Sequence, residues 1–157
     1  MTYTSVIKLA VSIGLPLAAG AIAGMFTARA VPGWYATLNQ PSFNPPNWVF
    51  GPVWTLLYIV MGISLYLVWQ TPPGPQRTLA MAVFFAQLLL NFGWSFFFFY
   101  FRQTGLALVE IVILWAAILI MLVLFYRIRP VAAWINVPYL LWVSFATLLN
   151  AAYYRLN

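Results

Sequence analysis

Three short series of side chains hold most of the chemistry this chain can offer. Trp54 and Tyr58 are four residues apart; Gln87, Asn91 and Trp94 follow at i, i+4 and i+7; Trp142, Ala146, Leu149 and Tyr153 continue the same spacing further on. At 3.6 residues per turn, each series lies along one face of a helix. Indole, phenol and amide groups on such faces suit recognition of a flat, mostly apolar molecule with a few polar edges. The same spacing suits plain packing, because aromatic stripes fill cores and Asn or Gln side chains tie membrane helices together. Residue types alone leave both readings open.

The absences narrow the chemistry further. There is no His, no Cys and a single acid, Glu110. Zinc, iron and copper sites draw on those residue types, so no protein metal site can be assembled. A Ser-His-Asp triad, a paired-carboxylate hydrolase and a relay of several acids are excluded on the same ground. Haem would find only Met or Tyr as an axial ligand, so a metal-free tetrapyrrole fits better, and no cofactor is required. Glu110 reads as a structural group near the membrane interface, paired with a basic residue or donor there, because no second acid stands ready to exchange a proton with it.

The elements that must position these side chains are membrane helices. Of 157 residues, 65% are hydrophobic and 5% charged, against about a quarter charged in soluble domains. Five apolar stretches, 5–27, 49–70, 78–101, 105–126 and 131–154, each approach or exceed the roughly 20 residues that cross a bilayer. The expectation is one all-α domain over 1–157, a five-helix multi-pass integral membrane protein. Its basic residues are scattered singly near helix ends, where they reach headgroups and anionic lipid; nucleic acid would need a clustered basic face. Lys8, Arg77, Arg127 and Arg129 flank one side and Arg29, Arg102 and Arg155 the other, a balance that assigns no orientation.

Within the first stretch an apolar run follows Lys8 and precedes Ala28-Arg29-Ala30, the order of a signal peptide, but the run is too long for one and contains Gly20 and Gly24 at helix-packing spacing. A retained helix is expected. Ala82 and Ala86 share that spacing and serve contacts either within the bundle or between protomers. The one long connection, 28–48, is rich in Pro and aromatics, including Trp34, Tyr35, Pro41, Phe43 and Trp48. Prolines fix φ and aromatics seek burial, which predicts a compact lid over one mouth of the bundle; an interfacial aromatic belt is the alternative. The other connections are short and make successive helices antiparallel neighbours. Pro16 and Pro138 predict kinks, whereas Pro52 is expected in a first turn, where a missing donor costs little.

Read in order, the residues resemble one family. Trp34-Tyr35, Leu38-Asn39-Gln40-Pro41, Asn44-Pro45-Pro46-Asn47-Trp48-Val49-Phe50 and Pro52-Val53-Trp54-Thr55-Leu56-Leu57-Tyr58 open the match. Gln87-Leu88 with Asn91 and Trp94, Ala107-Leu108-Val109-Glu110, Val137-Pro138-Tyr139-Leu140-Leu141-Trp142 and Phe145-Ala146-Thr147-Leu148-Leu149-Asn150 complete it. The chain is similar nearly end to end to the TspO/MBR family, the translocator proteins or tryptophan-rich sensory proteins. The resemblance implies a five-helix bundle, commonly a homodimer, with a pocket under the first loop for porphyrins such as protoporphyrin IX, sterols or similar ligands. Carried over residue by residue, that pocket falls on Tyr35, Pro45, Trp54, Tyr58, Asn91, Trp94, Trp142, Phe145 and Ala146. It also implies a light- and oxygen-dependent breakdown of porphyrin, for which the matching tryptophans are Trp54 and Trp142, and a tetrapyrrole or lipid transport role. A sterol-type pattern of Leu149, Tyr153 and Arg155 occurs near the C-terminus. Two departures concern Ser95-Phe96, where relatives often carry Pro, and Phe43, where Trp is common.

Overall fold

Five helical segments in the computed structural model, which describes residues 3–157, are long and apolar enough to cross a membrane: Tyr3–Ala30, Asn47–Trp69, Pro75–Tyr100, Thr104–Ile128 and Pro130–Leu156. In hydrocarbon, a helix satisfies its own backbone polar groups, which is why such apolar runs fold this way. The protein is a multi-pass integral membrane protein, and no strand occurs among the described residues. We label the elements α1 (Tyr3–Ala30), α2 (Asn47–Trp69), α3 (Pro75–Ser95) with a π-helical turn (Phe96–Tyr100), α4 (Thr104–Ile128), α5 (Pro130–Trp134) and α6 (Val137–Leu156).

Pro138 and Pro52 behave differently from expectation, and Pro16 does not break its helix. α1 continues as helix through Pro16. The fifth span is broken outright: α5 ends at Trp134, and Pro138 lies in the first turn of α6 instead of kinking a continuous helix. Proline is at ease there because the donor it lacks would have no partner in a first turn. Pro52, by contrast, falls inside α2, because that helix begins at Asn47, two residues before the expected start. It deprives the Trp48 carbonyl of its donor, and Trp48 is exposed, so headgroups or water can replace it.

The bundle centre is formed by Met61 and Leu65 of α2, Phe84 of α3, Ile118 and Met121 of α4 and Val143 of α6, none with exposed surface. Since lipid is as apolar as leucine, close contact and interhelical hydrogen bonds hold such a core together. α1 is held mainly by α2. Near its start, Ser5 Oγ lies 2.6 Å from the Tyr66 hydroxyl and accepts from Gln70 Nε2. Further along, Gly62 abuts the backbone of Ser12 and Ile13, where a Cβ would fall 2.7 Å from the Ser12 carbonyl oxygen and 2.5 Å from the Ile13 Cα. Ala82 and Ala86 are both exposed.

The 31–46 connection folds onto the end of the bundle. A single 3-10 turn, Tyr35–Thr37, buries the Tyr35 ring against Phe98, Phe99 and Tyr153. Asn39 and Asn157 exchange hydrogen bonds: the Asn39 backbone N–H donates to Asn157 Oδ1 at 2.8 Å and Asn157 Nδ2 donates back to the Asn39 carbonyl at 3.1 Å. The segment is therefore a lid tied to α6, although Phe43 and Trp48 at its edge are exposed as belt residues would be.

Candidate ligand cavity

The aromatic and amide series converge. α2 presents Phe50, Trp54 and Tyr58, α3 presents Asn91 and Trp94, and α6 presents Trp142, Ala146, Leu149, Asn150 and Tyr153 to one cavity of about 800 Å³ under the lid. Trp54 stacks on Tyr58 with ring centroids 5.6 Å apart. Tyr58 donates its hydroxyl to Asn91 Oδ1 at 2.6 Å, Asn91 Nδ2 donates to the Tyr139 hydroxyl at 2.9 Å, and Tyr139 donates to Gln87 Oε1 at 2.8 Å. This chain of bonds runs from the cavity floor into the bundle centre and leaves the amides satisfied, as burial demands. Trp94 Nε1 donates to Asn150 Oδ1 at 3.0 Å, while Asn150 Nδ2 donates to the Thr104 carbonyl. The Trp142 indole N–H, in contrast, is buried on the cavity wall without a protein acceptor.

Among the described residues, no charged side chain lines the cavity. Its roof is Tyr35, whose hydroxyl accepts from Tyr153 at 2.7 Å and donates to Asn44 Oδ1 at 3.2 Å. Its flank is made of small residues. Ala21, Gly24 and Ala28 of α1 and Gly51 and Thr55 of α2 both line the cavity and are exposed, so it reaches the bundle surface between those helices. The helices touch at Gly62 and again where Gly20 lies against the Tyr58 ring, while at Gly24 and Gly51 a Cβ would meet nothing within 4 Å.

Of the residues expected in the pocket, Tyr35, Trp54, Tyr58, Asn91, Trp94, Trp142 and Ala146 share this cavity, whereas Pro45 and Phe145 are not on its lining. Phe145 packs behind it, against Trp142 at 5.5 Å and Phe43 at 6.3 Å between centroids. Gln87 sits deeper than Asn91, in the core. The three residues of the sterol-type pattern divide: Leu149 and Tyr153 face the cavity and Arg155 is exposed, so they form no common outward surface. Phe50 and Gly51 went unnoticed as pocket residues, although Phe50, Trp54 and Tyr58 repeat at i, i+4 and i+8. Phe98 and Phe99 carry no readable period, because the π-helical turn displaces them.

A family model, that of the TspO/MBR family, matches residues 12–155. The chain belongs to the TspO/MBR family. Among TspO/MBR relatives, it is 42% identical over 153 residues to the tryptophan-rich protein TspO of Archaeoglobus fulgidus, covering 98% of this chain and 99% of that one. It is 41% identical over 126 residues to the human translocator protein, covering 79% and 75% respectively. Against the tryptophan-rich sensory protein of Cereibacter sphaeroides, identity is 36% over 124 residues, covering 79% and 77%. The TspO/MBR match spans all five crossing segments and the lid.

Proposed function

We propose that this protein is a membrane receptor or sensor that binds a porphyrin, with protoporphyrin IX the first candidate, or a sterol-like flat ligand, in the cavity beneath the lid. The observation carrying this reading is the convergence of Trp54, Tyr58, Asn91, Trp94 and Trp142 on one shared volume beneath the lid. Indole and phenol faces offer stacking surface to such a ligand. The uncharged lining suits the neutral body of a macrocycle; carboxylate groups would remain toward the mouth, because an unpaired charge is costly in such surroundings. Membrane lipid is the medium from which the ligand comes, and a homodimer is part of the proposal, checked by the mass of the detergent-solubilised protein. Titration of protoporphyrin IX with purified protein is expected to change its absorbance and fluorescence saturably. A response no different from that of empty detergent micelles would refute the reading.

A second reading, light-driven porphyrin breakdown in oxygen, is favoured by Trp54 and Trp142 lining the same cavity. Indoles can give an electron to an excited macrocycle lying against them. Under illumination, the Trp54→Phe and Trp142→Phe variants should bleach bound protoporphyrin more slowly than the wild type; equal rates in all three would remove this activity. Transport has less support, because no charged pathway or internal repeat accompanies the cavity.

A further inference from the structure

Glu110, the one acid of the chain, stands outside the cavity and outside the expectation that it pairs with a neighbour. It lies on α4, 8% exposed, and neither carboxyl oxygen has a hydrogen-bond partner. A carboxyl at membrane depth is costly unless something bonds to it. Among the described residues, no Lys, Arg or polar side chain does so.

Glu110 lines a cleft of about 450 Å³ between α3 and α4, walled by Leu89, Phe92, Phe96, Phe97 and Phe101, with its two carboxyl oxygens covered just behind the wall. Leu89 and Phe101 are exposed, so the cleft faces the lipid. Two backbone features border it. Gly93 faces the carboxyl: a Cβ there would have Glu110 Oε1, at an ordinary contact distance of 3.8 Å, as its only neighbour within 4 Å. The π-helical turn, closed by the Phe101 N–H donating to the Phe96 carbonyl at 2.8 Å, widens the end of α3 where Phe96 and Phe97 form the wall. Such turns occur often at functional sites. No residue lines both hollows; α3 turns Asn91 and Trp94 to the cavity, and Leu89 and Phe92 to the cleft.

Glu110 is the seventh residue of α4, roughly 9 Å along the helix axis from its start at 1.5 Å per residue. A group hanging just below the headgroups can reach it while an apolar body runs along the phenylalanines. We propose that this cleft is a second, membrane-facing binding site, independent of the cavity, for an amphiphile whose hydroxyl or amino group donates a hydrogen bond to the Glu110 carboxyl.

Because the chain has no cysteine, Leu89→Cys gives a single attachment point for an environment-sensitive fluorophore at the cleft rim. The labelled full chain in lipid nanodiscs would be titrated with hexadecanol, hexadecylamine and hexadecyl methyl ether, three probes of one shape that differ in the donor. The expected result is a saturable emission change with the alcohol or the amine at least tenfold tighter than with the ether. Which of the two binds identifies a neutral or an amino lipid as the source. Glu110→Leu should abolish this preference and Glu110→Gln, which keeps an acceptor, should retain most of it. Equal affinities for all three probes with Glu110 intact, or a preference that survives Glu110→Leu, would overturn the site. So would a change in oligomeric mass on Glu110→Leu with no donor preference, which would assign the face to a second copy. Should Glu110→Leu fail to fold, the probe comparison with Glu110 intact and the Gln variant still decide.

Discussion

Asn91 serves the cavity wall and the bundle core with one side chain. Its carbonyl oxygen accepts from Tyr58 and its amide donates to Tyr139, both buried. Asn91→Leu would strand the Tyr58 hydroxyl and take from Tyr139 the bond it accepts, leaving Tyr139 only its bond to Gln87, and an orphaned buried polar group costs about 1–3 kcal/mol. The variant should therefore melt well below the wild type, while Tyr58→Phe, which removes a whole donor and strands only a cavity-lining acceptor, should cost less. Thermal unfolding in detergent checks this ranking, and a reversed order would contradict it. That Asn91 faces inward was legible, since an amide in an apolar helix needs a partner. The depth at which each partner sits was not: Gln87 shares the Asn91 face yet belongs to the core, bonded to Tyr139 from another helix. The lone Glu110 was visible at once in the sequence, but its lack of any partner depends on which helix faces it, and periodicity carries no such information.

Between elements, α1 and α2 come backbone to backbone at Gly62, a glycine that no motif announced. At Gly62 a Cβ would meet the backbone of Ile13 and Ser12, which cannot swing aside as a flexible side chain could. Gly62→Ala should cost about 1–3 kcal/mol, the usual penalty for overpacking. Gly14→Ala, on α1 with nothing within 4 Å of the new methyl group, should be neutral or gain about 0.5–1 kcal/mol from helix propensity. Equal changes in Tm for the two variants would contradict this packing. The lid gives a second test: Asn157→Ala removes the exchange of bonds with Asn39 and should speed proteolysis within 31–46, measured against the wild type in the same micelles. The five apolar runs were plain because hydrocarbon demands long helices. The break between α5 and α6 and the π-helical turn were not, because both are backbone adjustments set by the neighbouring helices and leave the local composition as apolar as any regular helix.

For the molecule as a whole, the arrangement is a bundle packed tightly at one end and hollow at the other, roofed by a tied lid and open at one flank to the lipid. The competing account treats the indoles as packing and the protein as a structural component with no small ligand. Gly24 separates the two accounts, because it lines the cavity at the flank and has open space around a new side chain. A ligand that binds only the folded state at 100 times its Kd stabilises it by about 2.7 kcal/mol. The deciding measurement is the Tm of the wild type and of Gly24→Trp with and without saturating protoporphyrin IX. The account predicts a clear rise for the wild type and little or none for Gly24→Trp, whose indole would occupy the ligand's place. No rise in the wild type, or the same rise in both, would contradict it.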